Sequence, residues 1–457
     1  MAEHALGDLR IDEAERICQR LLVERPGNPG ALALLGVVAG HRGDAENAVD
    51  LIERALKQQP RVAPWYANLC VLYRSLRRVE DAVAAGERAL NLAPDDVKNL
   101  INLSLALAEL GNQERSDACL LRAIGLDPMN AEAHFALGEM LLARGEFAPG
   151  WLEYEWRNET EVGRGQLPAL SSARWNGMHI ANGRILLFAD QGYGDTIQFA
   201  RYIPRVAERC QEVVLACSPE LAPLLAQMPG VSKCFQSWSE IPGHAAHARL
   251  SSLPGLFHTT LDTIPRQAPY LFADPRLTAK WGARLTELAP RPLRRVGLAW
   301  SGRPSHPNDR RRSIGLANLT PLAATDEVAF LSLQKPFPHI DVSAMDAFPG
   351  LTDISSELTD FAQTAALIAN LDLVITVDTA MAHLTGALGR PVWILLPKPN
   401  DWRWLRERSD SPWYPSARLF RQKKSGVWED VIADVADTLQ MEFGNFSPTP
   451  MPNTGVN

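Results

Sequence analysis

Residues 183–201 read GRILLFADQGYGDTIQFAR, and this stretch decides what the C-terminal part of the chain can be. Ile185, Leu186, Leu187 and Phe188 form a continuous apolar run, the pattern of a strand buried on both faces of a parallel sheet. Asp190, Gln191, Gly192, Tyr193 and Gly194 then make a tight turn, after which Ile197, Ala200 and Ile203 recur at helical spacing. The reading is strand, glycine loop, helix. Gly192 and Gly194 admit backbone angles closed to other residues and leave room for a ligand against the main chain, while Asp195 suits an N-cap. The loop is a ligand cradle or a plain turn with a capping aspartate, and the stretch by itself leaves both open.

The same pattern recurs downstream. Val213–Cys217 is a second strand. Arg295–Trp300 is a strand followed by SGRPSHPNDRRRSIGL, and Ala329–Leu333 a strand followed by Gln334 and Lys335. Leu373–Val377 leads into DTAMAHLTGALG, and Val392–Leu396 into Pro397 and Lys398. Alternating strands and helices mark an α/β domain. Ligands of open parallel sheets lie beyond the carboxyl ends of the strands, where Ser301, Gly302, Arg303, Gln334, Lys335, Asp378, Thr379 and Lys398 all fall. The helix opening at Thr379 presents free N–H groups and a positive dipole, His383 lies one turn into it, and Lys335 with Arg310, Arg311 and Arg312 adds cations. Taken singly, Asp378 is also readable as a cap, His383 as a core histidine and the arginine run as a solvated loop. Together they point to a diphosphate site. Trp402, Trp404, Trp413 and Tyr414 come after the last strand and are read as packing residues, one of which is placed to stack on a base or sugar.

The N-terminal part has a different grammar. Pro26, Pro60, Pro94 and Pro128 are spaced 34 apart, as are Ala14, Ala48 and Ala82 with Ser116 in the same register, and Gly36, Cys70, Ser104 and Gly138. That period matches tetratricopeptide repeats, helical hairpins that stack because none buries its apolar face alone. The small residues are expected to let paired helices approach closely. Asn68 and Asn102 hold equivalent positions on first helices, where amides could grip an extended peptide backbone or simply be solvated. Trp151, Tyr154 and Trp156 are expected to pack the end of the array onto the next part of the chain.

Composition limits the rest. Net charge is -7 and pI about 5.9, so no bulk basic field draws the chain to nucleic acid or an anionic membrane. The N-terminus lacks the order of a signal peptide and no apolar run reaches membrane-spanning length, which gives a cytoplasmic expectation. The six cysteines form no CxxC pair and are read as reduced thiols, and His244 and His247 as loop histidines without a third metal ligand. No DxD-like triad is evident, so the expectation is no metal and no cofactor. Domain boundaries are placed at 1–157 for the repeats, 158–182 for a linker, 183–272 and 273–441 for two Rossmann-like domains, and 442–457 for a flexible tail.

From about Gly183 to Met441 the sequence resembles bacterial glycosyltransferases of the GT-B fold, and is similar to the heptosyltransferase family. The resemblance rests on GYGDTIQFARYIP at Gly192–Pro204, WSGRPSHPNDRRRS at Trp300–Ser313 and VDTAMAHLTGALGRPV at Val377–Val392. Fusion to tetratricopeptide repeats is an architecture shared with the O-linked GlcNAc transferases. The resemblance implies a tetratricopeptide α-superhelix followed by two Rossmann-like halves of a GT-B fold, the acceptor in the first and a nucleotide diphosphate sugar in the second. It implies metal-independent transfer to a hydroxyl, with Asp195 as general base, Gln191, Gly192, Tyr193 and Gly194 as the acceptor-side loop, and Asp378, Thr379 and His383 in the donor-diphosphate motif. Ser301, Arg303, Arg310, Arg312, Gln334 and Lys335 join the donor side by position. The family motif commonly has glycine where this chain has Ala380, which bears on the identity of the sugar. A protein acceptor recruited by the repeats is the expected partner, since an extended segment is long enough to touch both parts. Two other functions are compatible with these residues: a nucleotide-sugar epimerase, and a tetratricopeptide scaffold with a degenerate sugar-binding domain.

Overall fold

The computed structural model describes residues 11–165, 170–306, 308–335, 348 and 350–444. The 34-residue period becomes helix pairs. After α1 (Ile11–Glu24) come α2 (Pro29–His41) with α3 (Ala45–Gln58), α4 (Ala63–Ser75) with α5 (Val79–Leu92), α6 (Val97–Leu110) with α7 (Gln113–Leu126), and α8 (Ala131–Ala143) with α9 (Phe147–Tyr154). Asn28, Asp44, Asp96 and Asn112 cap α2, α3, α6 and α7 by accepting backbone N–H groups of the first turn. The small-residue register is where the helices of a pair meet. A methyl group on Gly36 would lie 2.9 Å from the Ala48 carbonyl oxygen, and one on Gly138 2.5 Å from the Tyr154 nitrogen. Cys70 and Ser104 are fully buried at the same position, and Ser116 Oγ donates to the Ser104 carbonyl at 2.8 Å.

Packing divides the chain into two units, one running up to Leu141 with Leu152–Gly165, the other comprising Leu142–Trp151 and everything from Gln166. Phe147 and Trp151 thus fold with the second unit. Phe147 stacks on Trp413, Trp151 meets Trp402 edge-on, and the Trp151 indole donates to the Thr259 carbonyl at 2.8 Å. Tyr154 and Trp156 pack within the first unit, against Phe135 and His134.

The second unit holds two sheets, all of whose described pairings are parallel apart from one isolated bridge. The first contains β1 (Ala173–Arg174), β2 (Ile180–Phe188), β3 (Cys210–Ala216), β4 (Lys233–Phe235) and β5 (Ala246–Arg249) in the order β1-β5-β2-β3-β4. The second contains β6 (Arg294–Ala299), β7 (Val328–Ser332), β8 (Leu351–Asp353), β9 (Leu373–Val377), β10 (Val392–Leu396) and β11 (Ala417–Arg421) in the order β11-β10-β9-β6-β7-β8. The continuous apolar runs are the interior strands: every residue of β9 and β10 is buried, as are Ile185–Phe188 of β2. Helix α10 (Tyr193–Ala200) follows β2, α11 (Pro275–Leu288) precedes β6, α12 (Phe361–Ile368) precedes β9, α13 (Ala380–Ala387) follows β9, and α14 (Glu429–Phe443) closes the chain. Val435 and Leu439 of α14 join Val296, Leu298, Ile375 and Trp393 in the core of the second half.

The chain is therefore a tetratricopeptide superhelix followed by two Rossmann-like halves. Two stretches differ from the sequence reading. The expected linker 158–182 contains a helical turn at Glu161–Gly165 and strand β1, whose Ala173 pairs with Ala246, so sheet formation starts before Gly183. The expected tail begins inside α14, and residues 445–457 lie outside the described residues. The cysteines are unpaired thiols, and among the described residues no helix is long and apolar enough to cross a membrane.

The close helix contact makes a sharp prediction. Gly138→Ala drives a methyl group into backbone and should cost about 1–3 kcal/mol. Gly125→Ala, on an open face of α7, should be neutral or stabilising by up to about 1 kcal/mol, because alanine favours helix. Urea unfolding of the two variants followed by circular dichroism checks both signs.

Candidate functional site

The loop after β2 and the start of α10 carry the first cluster. Gly192 is the N-cap at φ -67°, and neither it nor Gly194 adopts the left-handed conformation expected of them. What Gly194 supplies is the absence of a side chain: a methyl group there would lie 2.6 Å from His383 Cδ2, so the glycine lets α10 of the first half approach α13 of the second. Asp195 is the third residue of α10 rather than its cap. Its Oδ2 accepts the Gly192 N–H at 3.0 Å, and its Oδ1 accepts from Arg403 Nη2. Burial holds its carboxyl above the usual range in spite of Arg403, with Asp401 and Asp190 adding to the rise. The side chain keeps 23% exposure, enough for a ligand to reach it.

Arg403 organises this cluster, and sequence reasoning missed it. It lies in a single turn at Trp402–Trp404, just past the carboxyl end of β10. Nε donates to Gln198 Oε1 at 2.8 Å, Nη1 to both oxygens of Asp401 at 2.9 and 3.1 Å, and Nη2 to Gln191 Oε1 at 3.3 Å as well as to Asp195. The guanidinium is buried over the Trp402 ring. The one signal in the sequence is the run Asp401-Trp402-Arg403-Trp404, a charged pair among tryptophans where a strand ends at the cleft.

A second cluster stands at the ends of β6 and β9. Arg312 Nη1 donates to the Asp378 carbonyl at 2.8 Å, and its Nε lies 3.4 Å from Asp309 Oδ1. Of the arginine run it is Arg312 that turns to the β9 end, whereas Arg310 is exposed. Thr379, not Asp378, caps α13, its Oγ1 accepting the Met381 N–H at 3.3 Å with Ala380 as the first helical residue. The Asp378 carboxyl is raised to about 7 by burial and by Asp401, against Arg312 and Arg403. His306, in the same loop as Arg312, accepts the Asn308 N–H on Nδ1 at 3.1 Å, and desolvation with Arg312 lowers its pKa. Its neutral tautomer therefore carries the proton on Nε2.

Other expected site residues have partners within the fold. Gln334 is buried and clamps the loop after β6: its Oε1 accepts the Trp300 and Ser301 N–H groups at 3.0 and 2.8 Å, and its Nε2 donates to the Ser301 carbonyl at 3.0 Å. Lys335 Nζ donates to the Leu358 carbonyl at 2.6 Å and Lys398 Nζ to the Lys423 carbonyl at 3.1 Å. Arg303 reaches the first half, its guanidinium 5.5 Å from the Tyr193 ring centre. His383 is a buried neutral ring, kept uncharged by desolvation, with Nδ1 2.9 Å from the Tyr414 hydroxyl and its face on Trp404. Trp402, Trp404, Trp413 and Tyr414 are all buried. Asn68 and Asn102 sit half-buried in the repeats, and among the described residues neither amide has a hydrogen-bond partner.

Residues 353–422 match the model of Glycosyltransferase family 9 (heptosyltransferase), and residues 1–63, 41–97 and 101–148 match that of the Tetratricopeptide repeat. The chain is similar to Protein FlbA of Caulobacter vibrioides, 28% identical over 428 residues that cover 86% of this chain and 70% of that protein. A shorter similarity, 25% over 134 residues and 28% of each chain, links it to the BBSome complex member BBS4 homolog of Drosophila melanogaster. Solved structures similar to it include MamA 41-end from Desulfovibrio magneticus RS-1 (20% identity, 35% of this chain and 93% of that one, TM-score 0.32). Another is a thermophilic TPR protein of Thermus thermophilus (23%, 35% and 88%, TM-score 0.32). The chain carries tetratricopeptide repeats followed by a glycosyltransferase family 9 domain.

The raised carboxyl of Asp378 predicts a pH dependence. A carboxyl with a folded pKa of about 7 and an unfolded value near 3.8 favours the fold most below pH 4, and that contribution is lost as pH rises to 7. Asp378→Asn cannot ionise. It should be more stable than the parent above pH 7, by about 4 kcal/mol, with the difference fading toward pH 4. Urea midpoints at pH 4, 6 and 8 test this, and a less stable variant at pH 8 would show that the carboxylate itself is needed.

Proposed function

We propose that this chain, which joins tetratricopeptide repeats to a family 9 glycosyltransferase domain, moves a sugar from a nucleotide diphosphate sugar to a hydroxyl on a protein segment recruited by the repeats. The observation that carries the reading is Asp195: a partly exposed carboxylate of raised pKa beyond the carboxyl end of strand β2, facing the half that bears the Thr379 helix start. A raised pKa brings a carboxylate closer to what a general base needs at neutral pH. In this reading Asp195 takes the acceptor proton, the hydroxyl oxygen attacks the anomeric carbon, and the nucleotide diphosphate departs.

The departing charge falls to Arg312, to Lys335 and to the helix start at Thr379, which together serve the purpose of a divalent cation. Arg403 holds Asp195 and Gln191 in place and is a positioning residue. His383 and Gln334 act through packing and loop clamping, which narrows the donor site to Arg312, Lys335 and the β9–α13 turn. The unpartnered amides of Asn68 and Asn102 support the repeats as the place where an extended backbone is held.

Asp195→Asn should retain nucleotide affinity by calorimetry with ADP, UDP and GDP, while turnover falls by about two to four orders of magnitude. Near-full activity would reduce Asp195 to a helix-end residue. In the double variant Asn68→Ala, Asn102→Ala, transfer to a protein acceptor should fall at least about tenfold, with release of nucleotide from the sugar donor to water unchanged. Undiminished transfer would remove the repeats from acceptor recruitment.

A further inference from the structure

The first half contains a cavity of about 280 Å³ at the carboxyl ends of β2, β3 and β4. Gln191, Tyr193, Thr196, Ser218, Gln236 and Trp238 are among its polar or aromatic lining, and the remaining side chains are small, hydroxyl-bearing or apolar. Among the described residues that line it, none is Asp, Glu, Lys, Arg or His. Tyr193 and Thr196 flank the Gly194-Asp195 step in the chain, so the cavity abuts the turn that carries the carboxylate. Trp238 is 41% exposed and stands edge-on to Phe188 with ring centres 5.8 Å apart, leaving a ring face for a ligand.

The charges at the Tyr193 wall cancel. Arg303 lies over the Tyr193 ring, and Glu220 is hydrogen-bonded to the same phenol. An anion entering the cavity finds no charged side chain among the described residues of the lining to offset the hydration it gives up. A neutral hydroxyl-bearing group instead meets side-chain amides and hydroxyls that both donate and accept, beside an aromatic face.

We propose that this cavity is the acceptor subsite and that it takes an uncharged hydroxyl-bearing group, rejecting acceptors whose hydroxyl stands beside a phosphate or carboxylate. The word acceptor rests on the glycosyltransferase reading; the selectivity for neutral groups rests on the cavity lining. A serine or threonine in a neutral peptide and the ring of an unmodified sugar share this chemistry, and the experiment separates them.

Saturation-transfer NMR on the full chain would compare two matched pairs of probes: acetyl-Gly-Ser-Gly-amide against its phosphoserine form, and a methyl hexoside against its 6-phosphate. At least one neutral member should bind, with its phosphorylated partner at least about tenfold weaker; the pair that responds identifies the source of the hydroxyl. Gln236 is an exposed wall residue, so Gln236→Arg should fold normally, checked by circular dichroism, and reverse the order within that pair. Wild-type preference for a phosphorylated probe, no binding of either neutral probe at millimolar concentration, or an unchanged order in Gln236→Arg would each overturn the proposal. Nucleotide release from UDP-, ADP- and GDP-sugars is read separately, and its absence would sink the transferase reading while leaving the binding result standing.

Discussion

One buried guanidinium fixes the geometry on which the cleft depends. Arg403 comes from the half that ends in β11, yet its hydrogen bonds run to Gln191, Asp195 and Gln198 of the half that starts with β1, with Asp401 completing its shell. A charge taken out of water is tolerated only when its donors are matched, and removing a partner from such an arrangement typically costs about 3–5 kcal/mol. The bond therefore acts as a constraint more than as a source of stability. It sets the distance between the turn after β2 and the turn after β10, and with it the position of the Asp195 carboxylate. Gly194 and His383 add the steric counterpart, because the helices carrying them approach to within a distance that forbids a methyl group.

Much of the fold is legible in the sequence because it is written in local periodicities. The spacing of Pro26, Pro60, Pro94 and Pro128 announces stacked hairpins, and the unbroken apolar runs at Ile185–Phe188 and Leu373–Val377 announce interior parallel strands. The site is legible only in outline. Polar residues do collect at the strand ends, but whether each faces a ligand or its own neighbours depends on partners far along the chain. Gln334 reads as a ligand contact and proves to be a clamp on Ser301, and His383 reads as part of an anion pocket and proves to be a neutral ring beside Tyr414. Arg403 escapes notice for the same reason, since nothing within ten residues of it reveals that Asp195 lies opposite.

In a Rossmann-like half the loops after the strands must both hold one another and leave groups for a ligand. Here the first task consumes Gln334, His383 and Arg403, and the neutral cavity beside Tyr193 and Trp238 is separated in character from the charged ends of β6 and β9. Among the described residues the lining of the cavity holds no charged side chain, whereas the ends of β6 and β9 bring Arg312 together with Asp309 and Asp378. That difference in character arises within a single folded unit.

The placement of Phe147 and Trp151 has a consequence for how the protein is made. Both belong to helix α9, which closes the repeat period in the sequence, but their ring partners Trp413 and Trp402 lie more than two hundred and fifty positions later, and the Thr259 carbonyl more than a hundred later. On the ribosome the earlier repeats emerge with their contacts at hand, whereas the two large aromatic rings of α9 have only each other until the last strands are synthesised. This corner of the second unit is thus finished last, and its rings are the surface that a nascent chain would have to keep from self-association during the interval.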